Sequence, residues 1–104
     1  MRYEIDDTGR LVVPDAATLK TLNISWRTDV RSLPPLPAAT TVDASGCTGL
    51  TSLDLPAATT VDASGCTGLT LLDLPAATWV DAYGCTKLTE INIPAAERLE
   101  VSQP

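Results

Sequence analysis

Histidine and phenylalanine are absent from the 104 residues, aromatic side chains make up 4% of them, and cysteine occurs three times. Without histidine there is no Ser-His or Cys-His nucleophile, no imidazole base and no histidine-based metal centre. With so few aromatics, a core of this size must be built from Leu, Val, Ile, Ala and Cys, which disfavours a bulky ligand cavity. An odd number of cysteines, with no Cys-x-x-Cys pair, fits a reduced compartment better than a disulfide framework or a metal site. The start, Met1-Arg2-Tyr3-Glu4-Ile5-Asp6-Asp7, lacks the apolar run of a signal peptide, and no stretch is long enough to span a membrane. The expectation is a cytoplasmic protein.

Basic residues are also missing from most of the chain. The net charge is −6, and between Ser32 and Thr86 there is no Lys or Arg at all. Residues 1–35 are neutral, because Arg2, Arg10, Lys20, Arg27 and Arg31 balance an equal number of acids, so residues 36–104 carry the whole imbalance. That argues against direct binding of nucleic acid or an anionic membrane and allows a basic partner. No Gly-x-Ser-x-Gly elbow, phosphate loop, dinucleotide fingerprint or converging carboxylate pair is present, so the chain is expected to be no enzyme, with no catalytic residue, metal or cofactor.

What the sequence does contain is a repeat. Residues 36–54 (LPAATTVDASGCTGLTSLD) match residues 55–73 at 18 of 19 positions and residues 74–92 (LPAATWVDAYGCTKLTEIN) at 13 of 19. A fixed short period marks a solenoid, in which each unit is one coil that cannot bury its apolar face alone. Degenerate copies flank the regular ones. The sequence reads as a single domain: a cap over 1–13, a degenerate repeat over 14–35, three regular repeats, and a half repeat with tail over 93–104.

Each unit holds two strand-like segments. In Thr41-Val42-Asp43-Ala44-Ser45 the alternation turns Val42 and Ala44 inward; in Leu50-Thr51-Ser52-Leu53-Asp54-Leu55 it turns Leu53 and Leu55 inward and Asp54 outward. Pro56 closes one corner and Gly46 and Gly49 permit the other. The predicted architecture is an all-β solenoid: two stacked parallel sheets, about four and a half coils, and a hairpin cap of Tyr3-Glu4-Ile5 and Leu11-Val12-Val13.

Leu50-x-x-Leu53-x-Leu55 followed by Pro56, and Ala39-x-x-Val42-x-Ala44-x-x-Cys47, resemble the core of leucine-rich repeats. The succession LTSLDLP…GCTGLT is most similar to the BspA-like subclass, although the unit of 19 residues is short for it and its usual phenylalanine is missing. The resemblance implies a protein-binding role.

Repeated positions become rows across the coils. Asp43, Asp62, Asp81 and Glu100 form an outward row of like charge, normally destabilising. Trp79 and Tyr83 replace a Thr and a Ser on either side of Asp81 and read as an apolar anchor. On the second sheet the outward row includes Asp54 and Asp73, with Leu71 as an apolar outlier between Ser52 and Glu90. These nine residues are the candidate partner-binding set. The function expected is protein binding through a flat acidic face. One alternative is an acidic, nucleic-acid-mimicking inhibitor of a nucleic-acid-binding protein, of the phage-encoded anti-defence type. Another is a structural module that forms a homodimer through its terminal edge strands.

The remaining features read as structure. Trp26 is expected to cap the core at a corner, and Cys47, Cys66 and Cys85 to form an inward thiol row. The threonine pairs Thr40-Thr41 and Thr59-Thr60 point to different faces, unlike an ice-binding array. One Asp per rung offers too few oxygens for Ca²⁺, and Asn23-Ile24-Ser25 matches a glycosylation acceptor in a chain without an export signal.

Overall fold

In the computed structural model, which describes residues 3–101 and side chains through Glu97, the chain winds into an all-β solenoid of about four coils. There is no helix among the described residues. A two-stranded antiparallel hairpin, β1 (Glu4–Ile5) and β2 (Leu11–Val12), closes one end. The first sheet is parallel, in the order β10 (Arg98–Val101), β8 (Trp79–Ala82), β6 (Thr60–Asp62), β4 (Thr41–Asp43), β3 (Thr21–Asn23). The second, also parallel, holds β5 (Ser52–Asp54), β7 (Leu71–Asp73) and β9 (Glu90–Asn92).

The strands are short because the repeat punctuates them. Proline in Leu55-Pro56-Ala57-Ala58 sits at the second position of a β-turn that the Ala58 N–H closes on the Leu55 carbonyl at 3.4 Å, and the same turn recurs at Leu74–Ala77. At the other corner the Cys47 N–H closes a turn on the Ala44 carbonyl at 3.2 Å, with Gly46 at φ +75° in its third position. Gly65 and Gly84 repeat that left-handed conformation, which glycine adopts without steric cost.

Between the sheets lies one continuous apolar column. Leu53, Leu55, Leu72 and Leu74 from the second sheet, and Val42, Val61 and Val80 with Ala44, Ala63 and Ala82 from the first, are buried, as are Leu50 and Leu69 at the corner. Register is exact across coils: Val42 lies beside Val61, Val61 beside Val80, and Leu53 beside Leu72. Burying each such leucine contributes about 2 kcal/mol, and stacking lets one coil shield the next.

The hairpin is a sheet of its own and meets the stack at the coil of Ser32. Arg10 forms a parallel bridge with Ser32, and the Leu11 N–H donates to the Ser32 carbonyl at 2.9 Å. The coil at Ser32 and β5 share no ladder, however, because Pro34-Pro35 inserts one residue relative to the regular unit. Proline lacks the N–H that a ladder needs.

Candidate binding face

The first sheet brings the predicted acidic row into register: Asn23 beside Asp43, Asp43 beside Asp62, Asp62 beside Asp81, and Asp81 beside Glu100. The side chain of Glu100 lies outside the described residues. Each of the three aspartates is also a turn acceptor. Asp43 Oδ1 accepts the Ser45 N–H at 3.1 Å and its hydroxyl at 2.7 Å, and Asp62 Oδ1 accepts the same pair from Ser64 at 3.0 and 2.7 Å. Asp81 accepts the Tyr83 N–H at 3.0 Å, and the serine hydroxyl that supplies the second bond in the other coils is absent there. Asn23 with Ser25, and Asp6 with Thr8, form the same Asx turn.

That bonding accounts for a row that charge alone would disfavour. Two carboxylates one rung apart, about 4.8 Å, repel by about 1 kcal/mol in water. Each hydrogen bond to a charged acceptor contributes about 1.5 kcal/mol or more, so at Asp43 and Asp62 two of them outweigh the repulsion without any bound cation or partner. Among the described residues no group of three His, Cys, Asp or Glu side chains is placed to hold a metal ion.

The aromatic anchor is less prominent at Trp79 than at Tyr83. Trp79 is half-buried beside Thr60, whereas Tyr83, in the turn after β8, is 68% exposed. On the second sheet Leu71 is half-buried between Ser52 and Glu90 in register. Asp54 is exposed, and Asp73 accepts the Asn92 side-chain amide at 2.9 Å.

Trp26 departs from its expected role as a core cap, being 75% exposed. It stands where the regular units have glycine, in a turn that the Arg27 N–H closes on the Ile24 carbonyl, with φ +65°. A bulky residue is costly there, about 1–2 kcal/mol, and the conformation turns its side chain out of the core. Its ring lies on Gly46, where a Cβ would meet ring carbon Cε3 at 2.3 Å. Gly46 is buried beneath it, while Gly65 and Gly84 stay half-buried. Alignment of Trp26-Arg27 with Gly46-Cys47 was the available signal. Arg27, at the cysteine position, instead donates to the Tyr3 carbonyl and pairs with Asp29 at 3.0 Å.

Two threonine ladders also escape a reading by strand faces. Thr59 and Thr78 hydroxyls donate to the carbonyls of Thr40 and Thr59, and Thr70 and Thr89 to those of Thr51 and Thr70, at 3.1–3.3 Å. Their signal is the spacing of one repeat. The cysteine row is buried as expected. Each thiol donates to a carbonyl of the preceding coil, Cys47 to Ile24, Cys66 to Ala44 and Cys85 to Ala63, at 3.0–3.1 Å. Burial pushes the Cys47 thiol pKa up, and its neighbour Cys85 together with burial does the same to Cys66.

The last strand of the second sheet, β9, has no partner on its outer side among the described residues. Ile91, at the position of the buried Leu53 and Leu72, is 47% exposed. No helix among the described residues is long and apolar enough to cross a membrane. Comparison of the chain with protein families, with curated proteins and with solved structures finds no match.

Proposed function

We propose that the chain is a non-enzymatic binding module, a scaffold of the leucine-rich-repeat kind, that holds another protein along its first sheet. The observation that carries this reading is Tyr83. Where the two coils before it have serine, the fourth coil places a tyrosine that is 68% exposed, so folding gains little from its ring. Large exposed aromatics on an otherwise Thr, Ser and Asp face are characteristic of contact hot spots. Half-buried Trp79 lies on the other side of Asp81 and extends the same patch.

The partner's contacting surface is basic. No basic residue occurs between Ser32 and Thr86, so the field of Asp43, Asp62 and Asp81 is uncompensated across three coils. A basic nucleic-acid-binding protein satisfies this requirement. The row steps by about 4.8 Å, against about 3.4 Å of axial rise per phosphate on one strand of DNA, so sign of charge rather than phosphate spacing would carry the recognition.

Two bait variants test the reading against lysate capture by the native chain. Trp79→Thr with Tyr83→Ser restores the repeat's own residues, and Asp43→Asn with Asp62→Asn and Asp81→Asn keeps the turn acceptors while removing charge. The first is expected to lose the partner at all salt concentrations. The second is expected to lose the salt-sensitive part of the binding. Retention of the same partner by both variants at physiological salt would refute the proposal.

A further inference from the structure

The break in the second sheet leaves a groove of about 440 Å³ on its outer surface, within the size range of ligand sites. It is lined by Leu33, Pro34, Pro35, Leu36, Pro37 and Pro56, with Arg10 from the rung before and Ser52 and Asp54 from the rung after. In the regular coils the leucine ahead of each corner proline ties forward to the next coil, Leu55 N–H to the Asp73 carbonyl at 3.1 Å and Leu74 N–H to the Asn92 carbonyl at 2.8 Å. The corresponding bond from Leu36 N–H to the Asp54 carbonyl is not made. The one backbone bond across this gap among the described residues is Thr51 N–H to the Arg31 carbonyl at 3.3 Å.

The groove thus has an apolar floor, under which Leu36 is fully buried. It also has opposite charges on its two banks. Arg10 and Asp54 are both exposed and, among the described residues, neither forms an ion pair. The charges lie two rungs apart, about 10 Å, which is about three residues of extended peptide.

We infer that this groove binds an extended peptide segment of another protein, which places a carboxylate side chain against Arg10 and, about three residues on, a lysine or arginine against Asp54. Its backbone runs across the rungs from one charge to the other, and its apolar body rests on the prolines. This surface is separate from the first-sheet face, and neither proposal depends on the other.

The test is a titration of ¹⁵N-labelled protein with the capped tetrapeptides acetyl-Glu-Val-Val-Lys-amide and acetyl-Gln-Val-Val-Gln-amide. Saturable shifts confined to the amides of residues 9–11, Leu33, Leu36 and residues 52–55 are expected with the first. Affinity is expected to fall by about fivefold when either charge is neutralised, in the peptide or by Arg10→Gln or Asp54→Asn. Both protein substitutions are at exposed positions and leave the fold intact. A further variant lacking Pro35 restores the regular spacing, closes the groove and abolishes binding while the melting temperature holds or rises. Absence of saturable shifts at millimolar peptide, equal affinity for the neutral peptide, or shifts centred elsewhere overturns the proposal.

Discussion

Asp62 lies in the middle of the acidic row, with Asp43 and Asp81 on the neighbouring rungs. Replacing it by alanine removes two bonds from Ser64, worth together about 3 kcal/mol for a charged acceptor. It also relieves two repulsions of about 1 kcal/mol each in water, reduced to about half at physiological salt. The net cost of Asp62→Ala is therefore about 1–2 kcal/mol. Asp62→Asn keeps an oxygen in the same place, as Asn23 already does with Ser25, while the repulsion still disappears. Its bonds are weaker by about half, so the two changes cancel and stability stays within about 0.5 kcal/mol of the native value. In urea, alanine is expected to lower the midpoint by about 0.5–1 M with an unchanged slope, and asparagine to leave it nearly unmoved. Added salt should stabilise the native chain more than the asparagine variant. If asparagine destabilises as much as alanine, charge rather than turn geometry dominates and the reasoning fails.

Deleting residues 55–73 joins Asp54 to Leu74 and replaces every inter-coil bond by its equivalent, so the shortened chain should fold with one coil fewer and a lower urea slope, as circular dichroism would report. The thiols of Cys47, Cys66 and Cys85 are buried, so alkylation in native buffer should modify none of them on the timescale that modifies all three in urea. The carboxyl of Asp6 is held below its ordinary value by the Thr8 hydroxyl and by the Thr8 and Arg10 amides. Its contribution is present above the unfolded-state value and disappears as pH falls through the folded one. Amides of the hairpin should therefore lose protection on acidification before those of the regular coils. Leu72→Ala should cost about 3 kcal/mol, and Ile91→Ala, at the equivalent but half-open position, about 1 kcal/mol, in the same unfolding assay.

The regular coils were legible because period, alternation and punctuation agree. Val42, Leu53 and Cys47 recur at one spacing, and the structure stacks each in a buried row. What the alternation could not show was how polar side chains are used within a rung. Asp43 reads as surface charge from strand faces alone. The recurrence of Asx-x-Ser or Asx-x-Thr at Asp6, Asn23, Asp43 and Asp62 is the pattern that reveals a turn acceptor. The threonine ladders were hidden for a related reason, since their acceptors lie in the preceding coil. At the irregular end, Trp26 took the glycine position of the turn, so its size suggested burial while its backbone conformation imposed exposure. The sequence showed Pro34-Pro35 as one extra residue, but the groove it opens depends on Arg10 occupying the rung below, which only the bridge to Ser32 establishes.

Hydrogen exchange on the chain, free and bound to its captured partner, tests the binding-face account most directly. Added protection should concentrate in the turns after the first-sheet strands, above all at residues 79–83 and then 60–64, with the second-sheet strands 52–54 and 71–73 unchanged. Protection confined to the second sheet, or spread evenly over the coils, would contradict the assignment of Asp43, Asp62, Asp81, Trp79 and Tyr83 to the interface.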